Sequence, residues 1–174
     1  GRFSMGGQTA SPNSVHIDMR KLNKIMEFSA ENKTIKVAAG TRWCDIQKFI
    51  DKHDLSIKIM QTYANFTVGG ALSVNCHGRY IGLGPIILSV KSVDIILANG
   101  DLVEASREAN ADLFFASVGC YNAIGVIAAA TLALEENIAV ERIHTTMERS
   151  EYQDFFFQKV RENKDVIFHN GDIY

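Results

Sequence analysis

Three stretches of this sequence gather glycine with hydroxyl and amide side chains closely enough to hold a ligand through the backbone. The first is Gly1-Arg2-Phe3-Ser4-Met5-Gly6-Gly7-Gln8. A loop of small residues with a hydroxyl can turn several N–H groups toward one point and hold an anion such as pyrophosphate. Taken alone it reads more simply as an ordinary chain terminus. The second is Thr67-Val68-Gly69-Gly70-Ala71-Leu72-Ser73-Val74-Asn75-Cys76-His77-Gly78. Gly69 and Gly70 clear space, while Thr67, Ser73 and Asn75 supply hydrogen-bonding groups. The plainer reading is a packing turn, but the density and length favour a ligand. The third is Asn122-Ala123-Ile124-Gly125-Val126-Ile127. A glycine entering a buried strand marks the close approach of a ligand or of another backbone, and the sequence leaves both open.

Other chemistries are poorly served. Cys76 and His77 are adjacent, and neighbours in extended chain point opposite ways, so they do not pair as nucleophile and base. Cys44 and His16 lie too far from them in sequence to suggest zinc ligation. His53, His144 and His169 belong to no constellation. There is no G-x-x-x-x-G-K-[ST] loop, and Pro85 after Gly82-Leu83-Gly84 spoils a dinucleotide fingerprint. No C-x-x-C, H-E-x-x-H or G-x-S-x-G occurs.

The elements that must position these loops come from a chain of 174 residues, 47% hydrophobic and 22% charged, which suits one folded domain. Eighteen basic against 20 acidic residues leave a net charge of -2, so no nucleic-acid partner is expected. Three scattered cysteines make no disulfide framework, and no signal peptide or membrane span is visible. A cytoplasmic location is the expectation. The run Ala123 to Leu134 stops at Glu135-Glu136. The chain opens without Met and closes just after an apolar run, which suggests a fragment.

Patterning predicts strands at Val15–Asp18, Thr34–Ala39, Ile57–Met60, Ala123–Leu134, Val140–Met147 and Val166–Phe168. Asn99-Gly100 between Val90–Ala98 and Leu102–Ala105 predicts a hairpin. Thr41 is placed as the cap of a helix burying Trp43, Ile46, Phe49 and Ile50. Asn110 is placed as the cap of a short helix through Leu113, Phe114 and Val118, stopped by Gly119. Ser150 and Gln153 suggest a capping box before a helix burying Tyr152, Phe155, Phe156 and Val160. Glycines from Thr67 to Gly84 argue against regular structure there. Interleaved elements with a hairpin give an α+β fold class.

In this order, the three loops resemble the FAD-binding (PCMH-type) domain of the vanillyl-alcohol-oxidase, or FAD-linked oxidase, family. The resemblance also uses Val15 to Asn23, Val37-Ala38-Ala39-Gly40-Thr41, Val93 to Asp101 and Asn110 to Phe114, and covers about residues 1–135. In look it is nearest to decaprenylphosphoryl-ribose oxidase-like and aldonolactone oxidase enzymes. The resemblance implies two α+β subdomains cradling FAD, with the first strands missing. Residues 1–137 would be the FAD-binding domain and residues 138–174 the start of a substrate domain.

It further implies that Gly1, Arg2, Phe3, Ser4, Met5, Gly6 and Gly7 line the pyrophosphate through backbone N–H groups. Thr67, Val68, Gly69 and Gly70 would continue that cradle. Val74, Asn75, Cys76 and His77 would lie near the ribityl chain and flavin ring, and Gly125, Val126 and Ile127 would make backbone contacts. Covalently flavinylated relatives carry His where Phe3 stands, or Cys near Tyr63 and Ala64, so FAD is expected to be non-covalent. The implied activity is oxidation of an alcohol carbon of a sugar, polyol or lactone by hydride transfer to flavin N5. No catalytic acid or base is assigned, nor any metal. A non-catalytic flavin- or nucleotide-binding module is the alternative.

Overall fold

The computed structural model describes residues 3–4, 6–7, 9 and 11–173. Its centre is a six-stranded antiparallel sheet, which fits the α+β reading. The strands are β1 (Ile25–Ser29), β2 (Thr34–Ala38), β3 (Leu55–Ile57), β4 (Val90–Ile96), β5 (Leu102–Ser106) and β6 (Val126–Glu136). The order is β1-β2-β6-β4-β5, with β3 pairing the end of β6 through Leu55↔Glu136 and Ile57↔Leu134. The longest strand, β6, is thus the central one, and its alanine-rich sequence lets neighbours approach closely.

Register sorts the side chains. Val37 and Val93 both sit opposite Ala130, and Ile35 and Val90 opposite Leu132, forming a buried apolar face. On the other face Lys36 and Ser92 oppose Thr131, and Asp94 opposes Ala129. Lys36 reaches past these small residues to Asp94 at 2.9 Å and to Glu104 of β5 at 3.3 Å.

The apolar core is closed by helices. In α1 (Trp43–Ile50), Trp43, Ile46 and Ile50 are fully buried, and half-buried Phe49 meets Phe28 edge-on at 5.2 Å. The stripe is the predicted one, but the cap is not Thr41. Arg42 holds the N-cap position without a side-chain cap bond, and its carbonyl accepts from Ile46 N–H at 3.2 Å. Thr41 is buried instead, its hydroxyl 3.4 Å from the Lys24 carbonyl.

In α2 (Val68–Ser73) the structure is helical where glycine density argued otherwise. Val68, Ala71 and Leu72 at i, i+3 and i+4 are all buried. That burial outweighs the roughly 1 kcal/mol per glycine that helix propensity costs. α3 (Ala111–Ser117) starts after Asn110, which has φ +54° and makes no cap bond; its amide donates to the Glu104 carbonyl at 2.9 Å. Gly119, at φ +90°, follows its end as expected.

The β4–β5 hairpin forms as predicted, although only Gly100 takes positive φ; Asn99 instead accepts from Asp101 N–H at 3.0 Å. Four other expectations fail. Residues 15–18 are exposed and form no strand, Val15 being 91% exposed. The β3 ladder ends at Ile57, and buried Ile59 and Met60 lie outside it. Residues 140–147 have no regular structure, because no sheet edge receives their alternating pattern. Phe168 makes only an isolated bridge, to Tyr80.

The last helix, α4 (Arg149–Phe155), is closed by a capping box of Glu148 and Glu151, two residues before the predicted pair. It continues as a π-helical turn over Phe156–Arg161, and of the four predicted core residues only Val160 is buried. No helix among the described residues is long and apolar enough to cross a membrane.

Candidate functional site

The second loop and β6, which the third loop enters, meet at a residue that neither contains, Ala39. Its N–H donates to the Ala128 carbonyl of β6 at 2.8 Å, and its carbonyl accepts from Gly69 N–H at 2.7 Å. Beside it, Val68 N–H donates to the Thr41 carbonyl at 2.9 Å, and Trp43 N–H to Phe66 at 3.2 Å. Residues 39–43 and 66–69 are therefore zipped together, with β6 alongside. The short run Ala38-Ala39-Gly40 was the available signal, since only small residues permit such an approach. Gly40 serves it on the other side, where a Cβ would collide with the carbonyl of Met19. Met19–Lys21 is a single 3-10 turn capped by Asp18, whose carboxyl the Arg20 guanidinium holds well below the usual carboxylate range.

These bonds occupy part of the expected cradle. The N–H groups of Val68 and Gly69 already have backbone acceptors within the fold. What this corner offers a ligand is the Thr67 hydroxyl and the exposed face of Gly70, whose N–H makes only a long 3.4 Å bond to that hydroxyl. The two glycines differ in role. A Cβ on Gly69 would stand 2.8 Å from the Ala39 Cβ, whereas one on Gly70 would meet only Thr67 Oγ1, at 3.2 Å.

The segment leading into the third loop caps α2. Gly119 N–H donates to the Leu72 carbonyl and Tyr121 N–H to the Ser73 carbonyl, both at 2.9 Å, satisfying acceptors that a helix end leaves open. Gly125 is held against β4, where a Cβ would come 2.7 Å from the Ile96 carbonyl. Val126 is half-buried and Ile127 buried, so any contact they offer is through the main chain.

Gly1, Arg2 and Met5 lie outside the described residues. Phe3, Ser4, Gly6 and Gly7 are exposed, and a Cβ on Gly7 (φ +68°) would touch nothing within 4 Å. The Phe3 ring packs on Phe66 at 4.8 Å and Tyr63 at 5.4 Å, bringing the first loop to the start of the second.

Beyond α2 the predicted residues diverge. Val74 is 39% exposed. Asn75 takes φ +45° and accepts from Ile87 N–H at 3.3 Å. His77 is exposed, with Nδ1 3.1 Å from the Gly78 carbonyl. Cys76 is buried, and burial pushes its thiol up to about 12, which removes it as a nucleophile near neutral pH. No metal-binding cluster is present among the described residues.

A dinucleotide such as FAD needs backbone approach without side-chain obstruction, a hydroxyl or amide donor, and little charge. The open faces of Gly7 and Gly70 and the Thr67 hydroxyl fit that requirement.

The family model described as an FAD binding domain matches residues 1–106. L-gulonolactone oxidase of Bos taurus is 27% identical over 165 residues, 87% of this chain and 38% of that protein. Cytokinin dehydrogenase 6 of Oryza sativa subsp. japonica is 32% identical over 146 residues, 76% of this chain and 27% of that protein. Cytokinin dehydrogenase 4 of Arabidopsis thaliana is 30% identical over 176 residues, 98% of this chain and 33% of that protein. The chain thus spans between a quarter and two-fifths of the length of these relatives. With the family match, the fold and the glycine corner in agreement, the chain belongs to the FAD-binding, PCMH-type domain family of FAD-linked oxidases, and its cofactor is FAD.

Proposed function

We propose that the protein carrying this chain is an FAD-dependent oxidoreductase that oxidises an alcohol carbon of a sugar, polyol or lactone. The observation that carries the flavin site is the bonding of Ala39 to both Gly69 and Ala128 of β6, with exposed Gly70 beside it obstructed by nothing but the Thr67 hydroxyl. Support for the substrate class comes from the L-gulonolactone oxidases of Bos taurus and Mus musculus, each aligned over 87% of this chain.

When bound, FAD supplies the two-electron acceptor. The chain's own residues bind and orient it. Thr67 offers a hydroxyl, Gly7 and Gly70 let the main chain come close, and residues 125–127 form the wall at the start of β6. His77 and Asn75 stand on the segment leaving α2, on the side assigned to the flavin ring. Cys76 lines that segment from within as a neutral thiol. FAD is held without a covalent bond, since Phe3 and Tyr63 occupy the positions where linking His or Cys would stand; acid precipitation should leave flavin in the supernatant. Residues 1–137 form the FAD-binding domain. The stretch from residue 138 begins a substrate domain, a reading supported by the end of β6 at Glu136 and the exposed irregular chain after it.

The cytokinin dehydrogenase matches favour a second reading, in which the substrate is of the class those relatives' names give. Anaerobic mixing separates the two. Loss of the oxidised flavin band on adding an aldonolactone or polyol supports the first reading, and its loss only with a cytokinin supports the second. Bound flavin that neither reduces points to a binding module.

A further inference from the structure

Asn122 and Tyr121 are consecutive residues at positive φ, +62° and +54°. L-residues adopt that conformation at a cost, and a pair of them persists only where the surroundings fix it. Here the surroundings are the end of α2. The Gly119 and Tyr121 N–H groups are taken by the Leu72 and Ser73 carbonyls, each at 2.9 Å. Ser73 Oγ, on a buried residue, lies 2.8 Å from the Gly69 carbonyl and 3.1 Å from Asn122 Oδ1. The hydroxyl has one proton. Given to Gly69, it cannot also go to Asn122 Oδ1, so the Asn122 amide is turned over, its O and N changing places, and its NH2 donates to Ser73 Oγ. A continuous path of bonds then runs from Gly69, beside the open face of Gly70, through Ser73 to Asn122, three residues before Gly125.

We propose that Asn122 is a positioning residue for the flavin site: locked to Ser73, it fixes the entry of β6 at the distance from α2 that a flavin spanning the two requires. The inference rests on the reading that residues 67–70 and 125–127 hold FAD. Its role is not in the core, since Asn122 is exposed and, among the described residues, its side chain makes this one hydrogen bond.

The test is FAD titration of the protein, with the visible flavin spectrum, for Asn122→Gly, Ser73→Ala and the double variant. Glycine keeps the positive φ and removes only the lock. Each single change should weaken FAD binding about fivefold, the effect of one lost hydrogen bond. Each should also alter the flavin band, and the double variant should lose no more than the worse single one. The cofactor-free melting temperature of Asn122→Gly should match wild type. Wild-type affinity and spectrum in both single variants, or losses that multiply in the double, overturn the inference. Gly70→Val reports on the placement separately. Unchanged affinity in Gly70→Val overturns the placement and this inference with it; loss there beside an unaffected Asn122→Gly overturns this inference alone.

Discussion

The Cβ of Ala39 fills the space that a side chain on Gly69 would need, leaving 2.8 Å where ordinary contact takes nearly 4 Å, while Gly69 N–H donates to the Ala39 carbonyl at 2.7 Å. Adjacent glycines therefore do different work. Gly69 lets α2 sit on the end of β2, and Gly70 keeps an exposed surface bare.

Gly69→Ala should destabilise the protein by roughly 1–3 kcal/mol, since the obstruction is a backbone-anchored methyl that cannot swing away. Gly70→Ala should change stability by about 0.5 kcal/mol or less, helix propensity partly offsetting the 3.2 Å contact with Thr67 Oγ1. Urea unfolding of the two variants measures the difference. Equal losses would show that both glycines serve packing.

That distinction was invisible in the sequence, where both read as glycines clearing space. The hairpin at Gly100, the α1 stripe and the buried β6 were legible, because each depends on local spacing and turn chemistry. The helix α2 was not, because tertiary burial of Val68, Ala71 and Leu72 overrode glycine propensity. Ala39 was visible only as one of a run of small residues, because its two long-range backbone bonds leave no mark on residue type. The Val140–Met147 pattern alternated as a strand should, yet alternation shows only that one face is apolar and not that a partner strand exists. Among site residues, the glycines and Thr67 could be named from sequence. The Tyr121 and Asn122 backbone could not, since neither residue type demands positive φ.

The polar face of the sheet makes a pH prediction. Lys36 and Asp94 are only 14% and 13% exposed, and the Asp94 carboxylate bonded to the Lys36 amine raises the lysine's pKa above its ordinary 10.5. A raised lysine contributes stability that is complete below the unfolded value and fades as pH rises through the folded one. Asp94→Asn should cost roughly 1–3 kcal/mol at neutral pH, by leaving the amine with only the longer contact to exposed Glu104. The gap from wild type should then close as pH climbs past the ordinary 10.5 and through the raised lysine value. Melting curves across that range check it; a gap independent of pH would mean that packing, not charge, was lost.

Cysteine reactivity provides a third check. The Cys76 thiol, pushed up to about 12 by burial, should resist iodoacetamide in the folded protein, whereas half-buried Cys44 and Cys120 should label more readily. Mass spectrometry after brief alkylation at about pH 8, near the ordinary thiol pKa, reads this directly. Rapid labelling of Cys76 in the native state would contradict its place inside the segment leaving α2.

The flavin site turns on the corner at Gly70. The measurement is equilibrium FAD binding to the wild-type protein and to Gly70→Val, with circular dichroism and thermal melting on the same samples. Wild type should bind FAD, and the variant should keep the fold but bind at least about tenfold more weakly, the equivalent of about 1.4 kcal/mol. A folded Gly70→Val variant with wild-type affinity would contradict this placement of the site.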